Sequence, residues 1–422
     1  MGEWVWRIVV WVGAVGGLGR SVSRRVAWES VGRGMSGLRG LDASAVSVRL
    51  TDHPREKVPE SALKFGQTMS DHMLRCRWSV EGGGWGQPEI VPAAPFEVHP
   101  FASVLHYANT CFEGMKAFVG ADGQVRLFRP ERNMARLNGS CARHGLPGFD
   151  GVELVELIKR LLLVDKAWVP RSKGCSMYLR PLCFGATPAL GLAAQSATEL
   201  LVMMSPVARY FAGGAVPVKL LVDARVVRAW PGGHGDAKLG GNYGPTVPAQ
   251  QRAIAEGCSQ NLFVLGDAAR PGELLVGEAG TMNFFAVWRK RGAAGDADAD
   301  VEAVTPDLDG TILPGVTRAS AIELLRDHFG VDIQERPLRL SELVAAHEEG
   351  RLLECFGTGT AAIVQPVSHI KCEDGKVLEA ARFCAAPDSA AFKASLGMRL
   401  MDTILDIQHG DMPYKDWSVV VG

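Results

Sequence analysis

From about residue 72 onward, short apolar runs with β-type alternation take turns with stretches in which apolar residues recur every three or four positions. In the first half, DHMLRCRW (71–78), VRLFRP (125–130), SMYLRPLCF (176–184) and ELLVMMS (199–205) read as strands. Asp150 and Glu153 make a capping-box-like start to a helix, and Val152, Val155, Leu157, Ile158, Leu161 and Leu162 fall largely on its core-facing side. AGGAVP (212–217) then breaks the pattern with two glycines and a proline, as a linker does. A second unit opens with VKLLV (218–222) and continues with a helix over 245–257 and strands over 261–265 and 283–288. Pro314 and Gly315 introduce a strong amphipathic helix over 316–329. GAAGDADAD (292–300) reads as a polar hairpin tip or a disordered loop. Strands and helices interleave in both halves, which predicts a mixed α/β (α+β) chain in two layers, with units at 51–211 and 218–422.

Composition narrows the class. A chain of 422 residues has room for two or three cores at roughly 150 residues per domain. Its 45 basic residues against 46 acidic, with 47% hydrophobic, exclude a disordered or fibrous protein and give no reason to expect a nucleic-acid partner. The first fifty residues differ, with seven Arg, no Lys and only Glu3, Glu29 and Asp42 as acids. Mixed with Ser and Gly, this is the composition of a transit peptide, so residues 1–50 are expected to be a disordered leader directing the protein to mitochondria, with cytoplasm or plastid as alternatives. Arg7 interrupts the early apolar run, and no later segment reaches about 18 uncharged apolar residues, so no membrane span is expected. The nine cysteines show no C-x-x-C pair or zinc-ligand spacing and the ten histidines no H-E-x-x-H; reduced interior thiols and no metal are expected.

One glycine-rich string is a decoy. GTGTAA (357–362) matches a dinucleotide fingerprint, but the β-like IVQPVSHI follows it where that fingerprint must open a helix. More unusual is Gly232–Pro245, GGHGDAKLGGNYGP, in which Lys238 stands among six glycines. Side-chain-free neighbours leave room for a bulky group against the amine, as a nucleophile needs; a solvated lysine in a flexible loop is the competing reading. Glu278 lies just ahead of an apolar strand and suits a buried acid that keeps a heteroaromatic nitrogen protonated, or an exposed strand-end charge. LPGVTR (313–318) leads into a helix, so its free N–H groups and the Thr317 hydroxyl form an anion cradle, or Thr317 is simply the N-cap. A lysine amine, an acid for a ring nitrogen and a phosphate cradle are the set that pyridoxal phosphate requires.

From about Phe65 to Trp417 the sequence resembles the branched-chain-amino-acid aminotransferases, fold type IV pyridoxal-phosphate enzymes. The strings that carry the resemblance are LHYANTCFEGMKAF (105–118), VRLFRPERNMARL (125–137), YLRP (178–181), KLGGNYGPT (238–246), GEAGTMNFF (277–285), ILPGVTR (312–318) and FGTGTAA (356–362). It implies a smaller N-terminal and a larger C-terminal domain with the active site between them, pyridoxal 5′-phosphate as cofactor, and a homodimer. Lys238 is implied as the Schiff-base lysine, Glu278 as partner of the pyridine nitrogen and Tyr243 as partner of the ring hydroxyl. Arg136, Val316, Thr317 and Thr360 are implied to hold the phosphate.

The same resemblance makes Phe65, Tyr107, Phe112 and Tyr178 the wall around a branched aliphatic side chain, with Thr281 beside it. Such a wall gains about 1.5–3 kcal/mol per buried side chain but separates single methylenes poorly, so Leu, Ile and Val are all expected as substrates. Arg180 is implied to receive the second carboxylate of glutamate, and Thr360 and Ala361 with Tyr107 the α-carboxylate. The expected activity is ping-pong amino transfer to 2-oxoglutarate, on small molecules alone. D-Amino-acid aminotransferase and aminodeoxychorismate lyase share the fold but not the aromatic wall with Arg180; a noncatalytic anion-binding scaffold is the alternative from another class. Vertebrate relatives carry a redox C-x-x-C where this chain has Ala362 and Gln365, so no thiol switch is expected there.

Overall fold

In the computed structural model the described residues are 38–208, 215–293, 295 and 297–422, and Leu38–Gly422 form one compact unit built on two sheets. The first has ten strands, centred on the antiparallel pair Ser176–Gly185 and Ala197–Val207. His72–Ser79 extends it on one side, and Met115–Val119 followed by Val125–Phe128 on the other. Helices Pro130–Arg143 and Gly151–Val164 cover this sheet, burying Met134, Leu137, Leu157 and Leu161 in a core with Leu74, Leu179 and Val202.

The second sheet has nine strands. Val218–Val222 runs parallel to Gln260–Gly266, with helix Val247–Ala255 between them in the chain, and parallel to Ile363–Lys371. Leu274–Ala279 and Met282–Arg289 form a tight antiparallel hairpin, and Met282–Arg289 also pairs with Leu352–Gly359. Helix Val316–Asp327 packs Ala321, Leu324 and Leu325 against Phe285 and Phe356 of this sheet.

The structure corrects four expectations. The expected leader runs too far. Residues 1–37 lie outside the described residues, but Leu41 and Ala43 are buried in the first core and Ser47–Val48 pairs with Glu89–Pro92, whose edge backbone groups need hydrogen-bond partners. Asp150 does cap its helix through Val152 N, but Glu153 accepts a hydrogen bond from Ala43 N at 2.6 Å instead of closing a capping box. Val152 faces solvent, and Leu154 takes the buried position. Finally, the segment 218–422 is not confined to the second sheet, since Ser418–Val420 returns to pair with Val125–Phe128 of the first. Of the linker at 212–217, residues 215–217 are described, and Ala215 is buried in the second core.

Candidate active site

Lys238 is pinned at its backbone rather than carried on a free loop. Its N–H donates to Ser140 Oγ at 2.9 Å, its carbonyl accepts from Phe112 N at 3.1 Å, and Leu239 bridges to Cys111. Two short 3-10 turns, Gly240–Asn242 and Gly244–Thr246, then place Tyr243 so that Lys238 Nζ donates to its hydroxyl at 3.0 Å. Two of the glycines serve the packing of the loop itself, while Gly241 and Gly244 have open space around them. A side chain at Gly235 or Gly240 would strike Thr311 or Thr110, so these glycines admit the protein's own chain.

Around the amine stands a continuous wall. The Phe112 ring lies 4.7 Å from Lys238 Nζ and 5.0 Å from the Tyr243 ring. Arg180 lies over Phe112 at 4.8 Å and donates to the Tyr178 hydroxyl at 3.1 Å, and Phe65 meets Tyr178 edge-on at 4.8 Å. Arg180 Nε is buried without a hydrogen-bond partner, a donor ready for an anion.

Two carboxylates organise the cations. Glu113, fully buried, takes both Arg136 Nε at 2.6 Å and Nη2 at 2.8 Å, and also accepts from Asn133 Nδ2. The fork leaves Arg136 Nη1 on the Pro314 carbonyl, beside the start of helix Val316–Asp327. Gly315, not Thr317, is the N-cap, and no side chain caps it, so the Val316 and Thr317 amides keep their hydrogen-bonding capacity. Glu278 is buried in strand Leu274–Ala279 opposite Asn283. Its Oε1 accepts from Leu313 N at 2.8 Å and Asn283 Nδ2 at 3.3 Å. Its Oε2 faces Arg228 Nη2 at 3.0 Å, close enough for an ion pair but off the line of a hydrogen bond.

Electrostatics follow from this packing. Burial, with the Arg136 charge, pulls the Lys238 amine down to about 8. Burial raises Tyr243 to about 12 and lifts Glu278 above the usual carboxylate range against the pull of Arg228. The remaining expected residues lie on one turn and its neighbours. Thr360 Oγ1 donates to Gly114 O at 3.0 Å, Lys116 Nζ donates to Ala361 O at 2.8 Å, and Thr281 O approaches Gly359. Tyr107 is not brought to this wall. It is exposed at the end of helix Ser103–Tyr107, with its hydroxyl on Leu190 O.

Glu113, Lys116, Ser140, Arg228 and Asn283 escaped the sequence reading of the site. Glu113 and Lys116 lie inside the string CFEGMKAF, but nothing in their spacing told which cation or carbonyl they serve. The donor set fits pyridoxal phosphate on the structure's own terms. It offers an amine of lowered pKa, a buried carboxylate with one oxygen short of hydrogen bonds, and free helix N-terminal amides beside a guanidinium.

A family model described as Amino-transferase class IV matches residues 110–370. The branched-chain-amino-acid aminotransferase of Monosiga brevicollis is 42% identical over 398 residues, covering 94% of this chain and 95% of its own. The chain belongs to the branched-chain-amino-acid aminotransferase family of class IV. The mitochondrial branched-chain-amino-acid aminotransferase of Bos taurus is 45% identical, covering 82% of this chain and 85% of its own. The branched-chain amino acid aminotransferase of Thermobaculum terrenum, solved in its PLP-bound holo-form, shares the fold with a TM-score of 0.62 at 22% identity, over 84% of this chain and 100% of its own. Relatives in this family carry both mitochondrial and cytosolic names.

Proposed function

We propose that this chain catalyses reversible amino transfer from L-leucine, L-isoleucine or L-valine to 2-oxoglutarate, with pyridoxal 5′-phosphate as cofactor. The observation that carries the reading is Lys238, its amine lowered to about 8 and held between Tyr243 and Phe112 at the foot of an aromatic wall that ends in Arg180. When bound, pyridoxal phosphate supplies an aldehyde that takes up amino groups and a ring that spreads the electrons left on the substrate α-carbon.

The chain's own residues do the rest. Lys238 Nζ is the base that takes the α-proton, and its lowered pKa keeps a neutral fraction at working pH. Tyr243 Oη orients that amine, and the buried Glu278 carboxylate, paired with Arg228, would stand against the ring nitrogen and favour its protonated form. Arg136, aligned by Glu113, and the Val316 and Thr317 amides with the Thr317 hydroxyl would hold the phosphate, aided by Thr360. Phe65, Phe112 and Tyr178 exclude water from the aliphatic side chain, beside Thr281, and Arg180 Nε takes the distal carboxylate of glutamate. The Thr360–Ala361 turn, fixed by Lys116, receives the α-carboxylate.

A homodimer is part of this reading. Phe101, Leu105, Tyr107, Leu190 and Leu192 are all exposed, and the Tyr107–Leu190 hydrogen bond ties this apolar surface together, which supports burial against a second copy. Residues 1–37, with five Arg, no Lys and only Glu3 and Glu29 as acids, support a mitochondrial location.

The test is a half-reaction of the holoenzyme with L-leucine, L-isoleucine, L-valine, L-glutamate and D-alanine, followed through the absorbance of the cofactor. Conversion by the three L-aliphatics and glutamate is expected. Conversion by D-alanine alone overturns the substrate assignment, and a colourless folded protein overturns the enzyme.

A further inference from the structure

Three thiols distant in sequence meet directly behind the strand that carries Phe112. Cys111, Cys141 and Cys183 are completely buried, and their Sγ atoms all lie within 4.8 Å of one another. The Cys111 and Cys141 sulfurs are 3.5 Å apart. Cys111 faces Cys183 across the pair Thr110–Phe112 and Ser176–Gly185, and Cys141 comes from helix Pro130–Arg143. Metal–thiolate bonds of about 2.3 Å set the sulfurs of one centre roughly 3.5–4 Å apart, so small rotations about the Cα–Cβ bonds close this triad on a single atom.

Charge selects the atom. The triad belongs to an apolar core with Met115, Leu137, Leu179 and Leu239. Three thiolates on a divalent ion leave a net negative charge in that core, a costly arrangement without a partner. Structural zinc also takes four ligands, and no fourth His, Cys, Asp or Glu joins the three among the described residues. A trivalent centre leaves no charge at all.

We propose that Cys111, Cys141 and Cys183 form a binding site for trivalent arsenic, taken up as the uncharged trihydroxide. Three S–H and three As–O bonds break, three As–S bonds form, and each proton leaves with one hydroxide as water. Arsenic stays trivalent, and no oxidant or reductant is consumed. Reactant and product are both neutral, so local opening of the core suffices for entry without burying an ion.

The experiment incubates the full-length holoenzyme with sodium arsenite, without added thiols, and reads native mass spectra. One adduct is expected, heavier by one arsenic less three hydrogens. At equal arsenite, occupancy falls at least tenfold in Cys141→Ala and is unchanged in Cys384→Ser, which removes the exposed cysteine. No adduct, an adduct that has lost fewer than three hydrogens, or equal occupancy in Cys141→Ala overturns the site. X-ray absorption of the wild-type adduct tests the proposal without any variant. Three sulfur neighbours are expected, and an oxygen neighbour contradicts it.

Discussion

Asn283 sits so close to Gly315 that a Cβ at residue 315 would lie 2.0 Å from Asn283 Oδ1. The same Asn283 donates to Leu313 O at 2.8 Å and to Glu278 Oε1, so one amide couples the helix start to the buried acid. Gly315→Ala therefore displaces both. Overpacking of this kind costs about 1–3 kcal/mol, which predicts pyridoxal phosphate binding weaker by roughly 10- to 100-fold. Titration of the apoprotein followed by absorbance checks it, and wild-type affinity would contradict it.

Glu113 and Arg136 form a buried two-pronged pair, so removing one charge strands the other. Glu113→Ala is expected to lose about 3–5 kcal/mol of stability, visible as a lower urea midpoint. Glu113→Gln retains the shape and the bond from Asn133, and its loss should be smaller. Equal midpoints for wild type and Glu113→Ala would remove the pair from the stability of the site.

Lys238 titrates at about 8 in the folded protein against an ordinary value near 10.5. The neutral amine is the species that attacks an aldehyde, so attachment of pyridoxal phosphate to the apoprotein should quicken about tenfold per pH unit below 8 and level off above it. The linkage has a definite sign. Below about 8 the apoprotein buries an ammonium at a cost; between about 8 and 10.5 the unfolded chain binds more protons, so stability rises with pH. Lys238→Met should therefore stabilise the apoprotein below pH 8, with the advantage shrinking above it. Melting curves across that window decide the matter.

Arg180 carries its buried, unpartnered Nε beside the Tyr178 hydroxyl. Hydrogen bonds to charged groups contribute about 1.5–3 kcal/mol, so Arg180→Met should slow the glutamate half-reaction roughly 10- to 100-fold while leucine changes little. Equal losses for both amino acids would assign Arg180 to the shape of the wall instead.

Much of this was legible beforehand. The strands around residues 72, 125, 176 and 200 and the helix after Gly315 formed where period and punctuation put them. Lys238, Tyr243, Phe112, Arg180, Tyr178 and Phe65, which the resemblance grouped, lie in one chain of contacts. The reading failed where a local pattern was overruled by a distant partner. Glu153 abandoned its capping box for Ala43, and Gly235 and Gly240 near Lys238 are packing clearances.

The order of apolar and polar positions determined the elements, their class and the residue types that chemistry needs, because periodicity and turn chemistry act over a few residues. Tertiary structure alone decided who partners whom. Nothing in the spacing of residues 113 and 136 announces a buried ion pair, and thiols 30 and 42 positions apart become neighbours only when one strand pair and one helix close a shared core. Electrostatic and thiol chemistry depends on distance and burial, and both are properties of the packed chain.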